Sequence, residues 1–316
     1  MPEIDILMAV RNGEKYIAEQ IDSILNQTFQ DFRLIIRDNS STDNTPAIIE
    51  EYVKKYPGKV QAVHDDVDCT ASFTKNFMQL LTYAEADYVM FTDSDDYWLP
   101  YKIQVSLWHM KELERKNPGL PALVFSGLQV VDENLQSMDI CSQYITGVPE
   151  YRNFTNLLLS NVVSGCTSIL NRALYSKSKG YIEDMPFAHD SFFGAMASGC
   201  GVLEHIPAAM ILYRQHGHNA SGYIGASGKH GVIMSWLVKV LEFRTYAVNV
   251  RKKCKFMLEH YSDVLLPERR ENLEKFVALL DKPKIAKFFM LLFGKWYKLE
   301  GRLYCKIKYF FRVVLC

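Results

Sequence analysis

Three carboxylates occur within four residues of the chain, at Asp93, Asp95 and Asp96. Carboxylates this close repel one another, so a divalent cation or several hydrogen-bond donors should lie nearby. Mg²⁺ and Mn²⁺ suit such a group because they combine few protein ligands with the phosphate oxygens of a substrate. The alternative is a solvated loop whose acids cap the helix that begins near Tyr101. An EF-hand is excluded because aromatic residues occupy the fifth and sixth positions of the loop.

The first half of the chain alternates strand-like and helix-like segments. This alternation predicts an α/β fold with a mainly parallel sheet flanked by helices on both faces. In such sheets, ligands bind beyond the carboxyl ends of the strands. Two polar clusters, at residues 38–40 and 93–96, directly follow the second and fourth predicted strands. Their position therefore makes both clusters candidate ligand-binding sites.

Hydrophobic periodicity and turn residues set the expected element boundaries. The predicted strands are 4–9, 32–36, 60–64, 88–92, 122–131, 165–170 and 202–211, and the predicted helices are 16–25, 46–56, 72–84 and 101–116. In the last helix, Leu107 and Trp108 are both expected to point inward. Tyr97 and Trp98, just before it, either line a sugar site or pack at the helix end.

Three strings, in order along the chain, carry a resemblance to a known family. AVRNGEKYIAEQIDSILNQTFQDFRLIIRDNSSTDNT resembles the opening of the family-2 glycosyltransferases, and ADYVMFTDSDDYWLPYKI resembles their metal-binding motif in its DxDD form. FAHDSFFGAMASGCGVLEHIPAAMILYRQHGHNASG resembles the acceptor-side segment of the bacterial rhamnosyltransferase-like members. The resemblance covers roughly residues 4–222 and implies the GT-A fold, a Rossmann-like arrangement.

The resemblance implies roles residue by residue. Asp190 matches the catalytic base; its position at the start of an apolar helix also suits an N-cap, and the two roles are compatible. The expected metal ligands, for Mg²⁺ or Mn²⁺, are Asp93, Asp95 and His216, with Asp95 the stronger candidate for direct contact. The residues expected to bind the nucleotide donor are Ala9, Arg11, Asn12, Asp38, Ser94, Gly165 and Arg214.

Two departures from the family pattern affect the donor site. Arg11 replaces the usual Tyr before Asn-Gly, and Asn39-Ser40 replace the usual Asp-Gly. Asn and Ser keep their hydrogen-bonding capacity, so altered base contacts are expected rather than loss of activity. Arg11 either adds a charge near the diphosphate or points to solvent.

The family's inverting members transfer a sugar from a nucleotide donor in a single displacement. By resemblance to the subfamily, the expected donor is dTDP-rhamnose, and the expected acceptor is a saccharide or polyprenyl-linked glycan in cell-surface polysaccharide synthesis. Two alternatives stay open. One is a sugar-phosphate nucleotidyltransferase, although its Gly-rich N-terminal loop is missing from residues 8–13. The other is a non-catalytic, membrane-associated scaffold derived from a glycosyltransferase.

Charge is spread unevenly along the 316 residues, whose formal net charge is zero. Residues 282–316 contain nine Lys or Arg and one acid, interleaved with aromatic residues. This composition favours a helix lying on anionic lipid, with a core-packing helical subdomain as the alternative. Two regions are therefore predicted: a catalytic domain at 1–222 and a helical, basic amphipathic region at 223–316. Because the remainder is acidic, nucleic acid is not an expected partner.

The chain carries no recognisable signal peptide or membrane-spanning stretch. Its seven cysteines are scattered singly, which is typical of a reducing compartment. The expected location is therefore cytoplasmic, peripheral on the inner face of the cell membrane. Association between copies of the chain is left open.

Overall fold

The computed structural model describes residues 1–141, 154–159, 161–178, 180–217 and 248–283. Its first half is a parallel sheet in the order β3-β2-β1-β4. These strands are β1 Ile4–Val10, β2 Phe32–Asp38, β3 Val60–Val63 and β4 Tyr88–Thr92. Each lies within two residues of its predicted bounds, and β4 matches them at both ends.

The second half of the sheet is mixed, so the prediction of a mainly parallel sheet applies to the first four strands only. The added strands are β5 Tyr97–Trp98, β6 Ala122–Val131, β7 Ser137–Cys141, β8 Ser168–Asn171 and β9 Val202–Arg214. Strand β8 is antiparallel to both β4 and β6, whereas β6 and β9 pair in parallel. The full order is β3-β2-β1-β4-β8-β6-β9-β5, with β7 on β6.

Helices cover both faces of this sheet. They are α1 Ile17–Leu25, α2 Thr45–Lys55, α3 Phe73–Leu80, α4 Lys102–Lys116, α5 Phe154–Leu159, α6 Arg172–Tyr175, α7 His189–Cys200, α8 at residues 248–261 and α9 Pro267–Leu280. Short 3₁₀ turns occur at Leu81–Tyr83 and Gly165–Thr167. The strand predicted from residue 165 therefore begins three residues later, because Ser164 and Gly165 carbonyls accept hydrogen bonds within the turn.

Two apolar clusters fill the two sides of the sheet, as strand alternation dictates. Ile6 and Met8 face the cluster that includes α1 and α4, whereas Leu7 faces the cluster that includes α3 and α7. On α4, Leu107 is buried as predicted, but the prediction for Trp108 is wrong, since it is 60% exposed.

Helices α8 and α9 belong to the same core as α7. Their buried side chains Met257, Tyr261 and Phe276 join the cluster that contains Phe192 and Met196. The division at residue 222 remains a prediction, and the Gly/Ser-rich loop at 218–229 and the basic tail from 284 onward lie outside the described residues. No helix in the described ranges combines the length and the apolar character needed to cross a bilayer.

Candidate active site

The carboxyl ends of three parallel strands meet at one edge of the sheet. Val10 pairs with Asp38 across β1 and β2, and Met8 pairs with Thr92 across β1 and β4. Asp93 follows Thr92 directly, so the two predicted polar clusters do lie at the same edge. The register of the sheet therefore brings together residues far apart in sequence, in the place where α/β sheets bind ligands.

The loop after β1 is fixed mainly by the loop after β2. Asn12 has a positive φ of 53°, and its side-chain oxygen accepts a hydrogen bond from the Thr42 amide at 2.8 Å. The Asn12 amide in turn donates to Ser41 Oγ at 2.7 Å. Gly13 donates to Thr45 Oγ1 at 2.8 Å, and a Cβ on Gly13 would lie 3.2 Å from Ser94 Oγ. Asn12 thus holds the two loops together, and Ser94 packs beside them.

The other residues predicted from the opening string occupy different environments. Ala9 is buried in β1, where it belongs to the apolar core. Arg11 is exposed and donates to the Thr70 carbonyl at 3.2 Å, which joins the first loop to the loop between β3 and α3. Asp38 accepts hydrogen bonds from the Ser41 amide, at 3.0 Å, and from the Ser41 hydroxyl.

Ser40 explains the family's preference for glycine at this position. Its φ is 59°, in the left-handed region, where a side chain costs about 1–2 kcal/mol relative to glycine. The tight turn at the end of β2 is therefore kept despite the substitution. Beside it, a cavity of about 390 Å³ opens between β2, β3 and α2, with Asp38, Glu50 and His64 among its lining residues.

Asp95 and His216 form the closest contact between the carboxylate cluster and the loop after β9. His216 Nε2 lies 2.9 Å from Asp95 Oδ2, and the imidazole stacks on the Tyr16 ring with centroids 5.0 Å apart. The His216 side chain is 14% exposed and the Asp95 side chain 25% exposed, so both can be reached by a further ligand. The Asp95 carboxylate is the kind of oxygen ligand that Mg²⁺ and Mn²⁺ prefer, and the His216 imidazole places a nitrogen beside it.

Arg214 packs beside Asp95 and His216 and contacts several of the surrounding elements. It is 2% exposed, pairs with Glu19 of α1, and stacks over the Tyr16 ring at 4.5 Å. Its Nε donates to the Asp95 carbonyl at 2.8 Å, and Nη1 donates to the Glu133 carbonyl at 2.5 Å. These contacts fix the backbone of Asp95 and the loop that carries His216; contact with a donor remains a prediction for Arg214.

Beside Asp95 lies a group of partly buried Asp93 and buried Asp96 and Cys166, whose ligand atoms fall within 4.8 Å of one another. Burial and the neighbouring charges of Asp95 and Asp190 raise the pKa of Asp93 to about 7. Burial likewise raises the pKa values of Asp96 and Cys166 well above their usual ranges. A protonated thiol is a poor nucleophile and a poor metal ligand, so this group supports the site above it.

Of the two aromatic residues before α4, Tyr97 and Trp98, the second packs in the core. Trp98 is fully buried in the core, so it forms no sugar platform. Lys102 is also fully buried, with Nζ 4.0 Å from the Trp98 ring centroid, and burial lowers its pKa to about 7. Among the described residues, neither Lys102 Nζ nor Asp96 Oδ2 has a hydrogen-bond partner.

Asp190 lies in the first turn of α7, where the N-cap is Ala188. The N-cap interpretation of Asp190 is therefore wrong, although a carboxylate in the first turn still complements the helix dipole. Burial raises the pKa of Asp190 to about 6, opposed by hydrogen bonds from the Ser191 and Gly165 amides and by the charge of Lys253. Its charge also acts on Asp93, so the base candidate faces the carboxylate cluster.

Gly165 makes room for the residue that precedes Asp190. A Cβ at Gly165 would lie 2.4 Å from His189 Nε2, closer than any real contact. The His189 ring stacks on Phe77 at 4.1 Å, burial lowers its pKa to about 3, and its ring nitrogens find no partner among the described residues. Gly165 is among the residues predicted to bind the donor; the structure shows that it lies close to a neutral histidine, and donor contact remains a prediction.

Three residues of the site were not predicted from the sequence: Tyr16, Glu19 and Lys253. Tyr16 lies within the first family-like string, so its position could have been noticed, as could Glu19 one turn later. Lys253 lies in the C-terminal third, where no motif points to it, and only the packing of α8 on α7 brings it to Ser191.

Solved structures show the same fold. S. aureus TarS 1-349, in complex with UDP-GlcNAc, is 18% identical over 93% of this chain and 76% of that one, with a TM-score of 0.60. The mannosyltransferase PcManGT from Pyrobaculum calidifontis, in complex with GDP-Man and Mn²⁺, is 15% identical over 90% and 72%, with a TM-score of 0.54. The predicted GT-A α/β fold is thereby confirmed.

Sequence comparison places the chain more narrowly. It is 29% identical over 231 residues to the dTDP-rhamnosyl transferase RfbG of Shigella flexneri, covering 68% of this chain and 73% of that one. The model of glycosyl transferase family 2 matches residues 5–177, more than half of the chain. This family assignment disfavours the nucleotidyltransferase alternative. The chain belongs to glycosyl transferase family 2.

Proposed function

We propose that this glycosyltransferase is an inverting, metal-dependent enzyme in which Asp190 is the general base. The observation that carries the proposal is the position of Asp190. It projects from the first turn of α7 toward the carboxylates at the end of β4, and burial raises its pKa to about 6. A base with such a pKa is deprotonated at neutral pH yet still basic enough to accept a proton.

The reaction needs one proton transfer and one displacement. The acceptor hydroxyl oxygen attacks the anomeric carbon of the donor sugar from the face opposite the leaving group. The bond from that carbon to the diphosphate oxygen breaks, and the hydroxyl proton passes to the Asp190 carboxylate. Amides of Ser191 and Gly165 hold the carboxylate in place for this step.

Asp95 and His216 are proposed to hold a divalent ion, with Asp93 beside them. The Asp95 carboxylate suits Mg²⁺ or Mn²⁺, His216 Nε2 lies 2.9 Å from it, and the Tyr16 ring keeps His216 oriented. Such an ion supplies positive charge to the leaving diphosphate when it is bound. The complex of PcManGT with Mn²⁺ supports this proposal.

Donor binding is proposed along the edge formed by β1, β2 and β4. Asp38 accepts hydrogen bonds beside an open cavity and is the candidate for a base contact, while Asn12 and Ser94 shape the loop nearby. The similarity to RfbG favours dTDP-rhamnose as the donor. Donors with other nucleotides, such as the UDP-GlcNAc bound by TarS, are the competing class.

The proposed acceptor is a saccharide or polyprenyl-linked glycan of cell-surface polysaccharide synthesis, used at the cytoplasmic face of the membrane. One sequence feature supports this setting, the basic, aromatic composition of residues 282–316. The proposed division assigns residues 1–222 to nucleotide-sugar binding and catalysis and residues 223–316 to a C-terminal helical region, whose basic tail from residue 282 onward is proposed to meet the membrane.

The test is a panel of nucleotide sugars incubated with purified protein and Mg²⁺ or Mn²⁺, with nucleoside diphosphate release as the readout. We expect slow, metal-dependent hydrolysis of one donor, lost in Asp95→Ala and kept in Asp31→Ala, which removes an exposed carboxylate far from the site. Calorimetry on the same panel distinguishes an enzyme from a scaffold. A protein that binds no donor and turns over none would contradict the proposal.

A further inference from the structure

Helix α8 packs directly against the helix that carries Asp190. Tyr261 is fully buried, with its ring 5.2 Å from that of Phe192, and Phe256 lies 5.8 Å from Phe187 between ring centroids. Helix α9 closes the same cluster through Phe276. The segment 248–283 thus supports α7 from the side away from the sheet, although no family-like string extends into it.

Lys253 is the cationic side chain that α8 directs into this contact. Its Nζ lies 3.3 Å from Ser191 Oγ and 5.2 Å from the centroid of the Phe187 ring. Lys252 and Lys255, on the same helix, are exposed, whereas Lys253 is half-buried. Burying an ammonium group costs free energy unless an anion compensates its charge. An anion is therefore expected near Lys253.

The compensating anion is Asp190. Burial lowers the pKa of Lys253, and the charge of Asp190 opposes that change; reciprocally, the charge of Lys253 opposes the effect of burial on Asp190. The other ionisable groups that the structure describes near Asp190 give no such support. Asp93, from the end of β4, repels it, and His189 is held neutral between aromatic rings. Within the described ranges, Lys253 is therefore the cation that balances the carboxylate.

We propose that Lys253 is a positioning residue for Asp190, reaching the active site from the C-terminal region through its hydrogen bond to Ser191. The proposal rests on the proposed function, in which Asp190 is the base. Lys253 fixes the first turn of α7 and supplies the positive charge against which the carboxylate is held. Helix α8 is thus part of the catalytic architecture, which extends the active site beyond the family-like strings that cover roughly residues 4–222.

The first experiment compares Lys253→Met, Lys253→Arg and Lys252→Met in the full chain, using hydrolysis of the donor identified by the nucleotide-sugar panel. Met keeps the length of the side chain without its charge, and Lys252→Met controls for loss of a surface charge. We expect Lys253→Met to lower kcat about tenfold with donor KM within about twofold, because donor contacts are untouched. Lys253→Arg should restore most of kcat, and Lys252→Met should match the wild type. Equal kcat in both Met variants would overturn the proposal.

A second experiment asks whether Lys253 acts through Asp190. The wild type, Lys253→Met, Asp190→Asn and the double variant are unfolded in urea, and the four free energies form a double-mutant cycle. We expect Lys253→Met to destabilise the wild type more than it destabilises Asp190→Asn, because the second protein has no carboxylate left to balance. Equal effects in both backgrounds would show that the two side chains are uncoupled, which contradicts the proposal.

The outcomes separate this inference from the proposed function. If Asp190→Asn keeps wild-type turnover, the assignment of the base fails whatever Lys253 does. If Asp190→Asn is inactive while Lys253→Met has wild-type kcat, only the role of Lys253 fails.

Discussion

His216 Nε2 lies 2.9 Å from Asp95 Oδ2, although 121 residues separate the two in sequence. Strand β9 makes this contact possible, because it runs in parallel with β6 and ends at Arg214, whose guanidinium binds the Asp95 carbonyl. The Tyr16 ring then stacks against both Arg214 and His216. Elements from the first loop, the fourth strand and the ninth strand therefore build one site.

This geometry predicts that His216 contributes to metal affinity. His216→Ala should weaken Mn²⁺ binding about 10–100-fold, measured by calorimetry in the presence of a nucleoside diphosphate, because one nitrogen ligand is lost. His109→Ala is the matched control, since that side chain pairs with Glu204 near the start of β9, at the opposite end of the strand from Arg214. Unchanged Mn²⁺ affinity in His216→Ala would remove His216 from the metal site.

The raised pKa of Asp190 predicts a pH dependence of catalysis. A general base works in its deprotonated form, so kcat should rise with pH through the pKa of about 6 and level off above it. The measurement is kcat for donor hydrolysis from pH 5 to pH 8.5 at saturating metal. A flat profile across this range would argue against Asp190 as the base.

The same shift predicts that Asp190 destabilises the fold at neutral pH. Its pKa is higher in the folded chain than in the unfolded chain, so the folded state binds the proton more tightly. The stability contributed at low pH is therefore lost as the pH rises from about 4 through about 6. Asp190→Asn should unfold at a higher urea concentration than the wild type at pH 7.5, with a smaller difference at pH 4.5. A less stable Asn variant at pH 7.5 would contradict this reading of the site.

Gly165 should tolerate no side chain. Gly165→Ala forces a methyl group against His189 Nε2 and should cost about 1–3 kcal/mol in the free energy of unfolding, as overpacking does. His189→Ala in the same chain should recover part of the loss, because the obstructing ring is gone. Gly217→Ala is the control for stability, since nothing lies within 4 Å of its added Cβ. Equal stability of the two single variants would contradict the packing described.

Ser40 offers a change expected to stabilise the protein. Ser40→Gly relieves the left-handed conformation at φ 59°, and after the entropy that glycine adds to the unfolded chain we expect a gain of about 0.5–1 kcal/mol. Ser41→Gly should instead destabilise, because the Ser41 hydroxyl binds Asp38 and accepts from Asn12. Urea unfolding of both variants checks the pair, and a loss in Ser40→Gly would show that the serine is unstrained.

Local patterns in the sequence predicted the bounds of several strands. Strands β4 and β6 begin and end where apolar β-branched and aromatic runs meet turn residues. The error at Trp108 is also physical. On α4 the buried stripe follows Ile103, Leu107 and Met110, so Trp108 lies one residue, about 100°, off that stripe.

The parts that sequence could not predict depend on long-range packing. The antiparallel insertion of β8 between β4 and β6 has no local signature, because strand direction is set by the chain's return path. The ion pair of Arg214 with Glu19 and the hydrogen bond from Lys253 to Ser191 likewise form only when elements distant in sequence pack together. The residue types in the three family-like strings indicated where the site lies. They did not indicate which distant helices pack around it.

Asp190 is proposed to serve the chemical step, and Asp95 to bind the metal and the donor. Donor binding by calorimetry with Mn²⁺, alongside single-turnover hydrolysis, separates these two roles in Asp190→Asn and Asp95→Asn. We expect Asp190→Asn to bind the donor with wild-type affinity but to turn it over at least about 100-fold more slowly, and Asp95→Asn to lose metal-dependent binding. Wild-type turnover in Asp190→Asn would show that Asp190 is not the base.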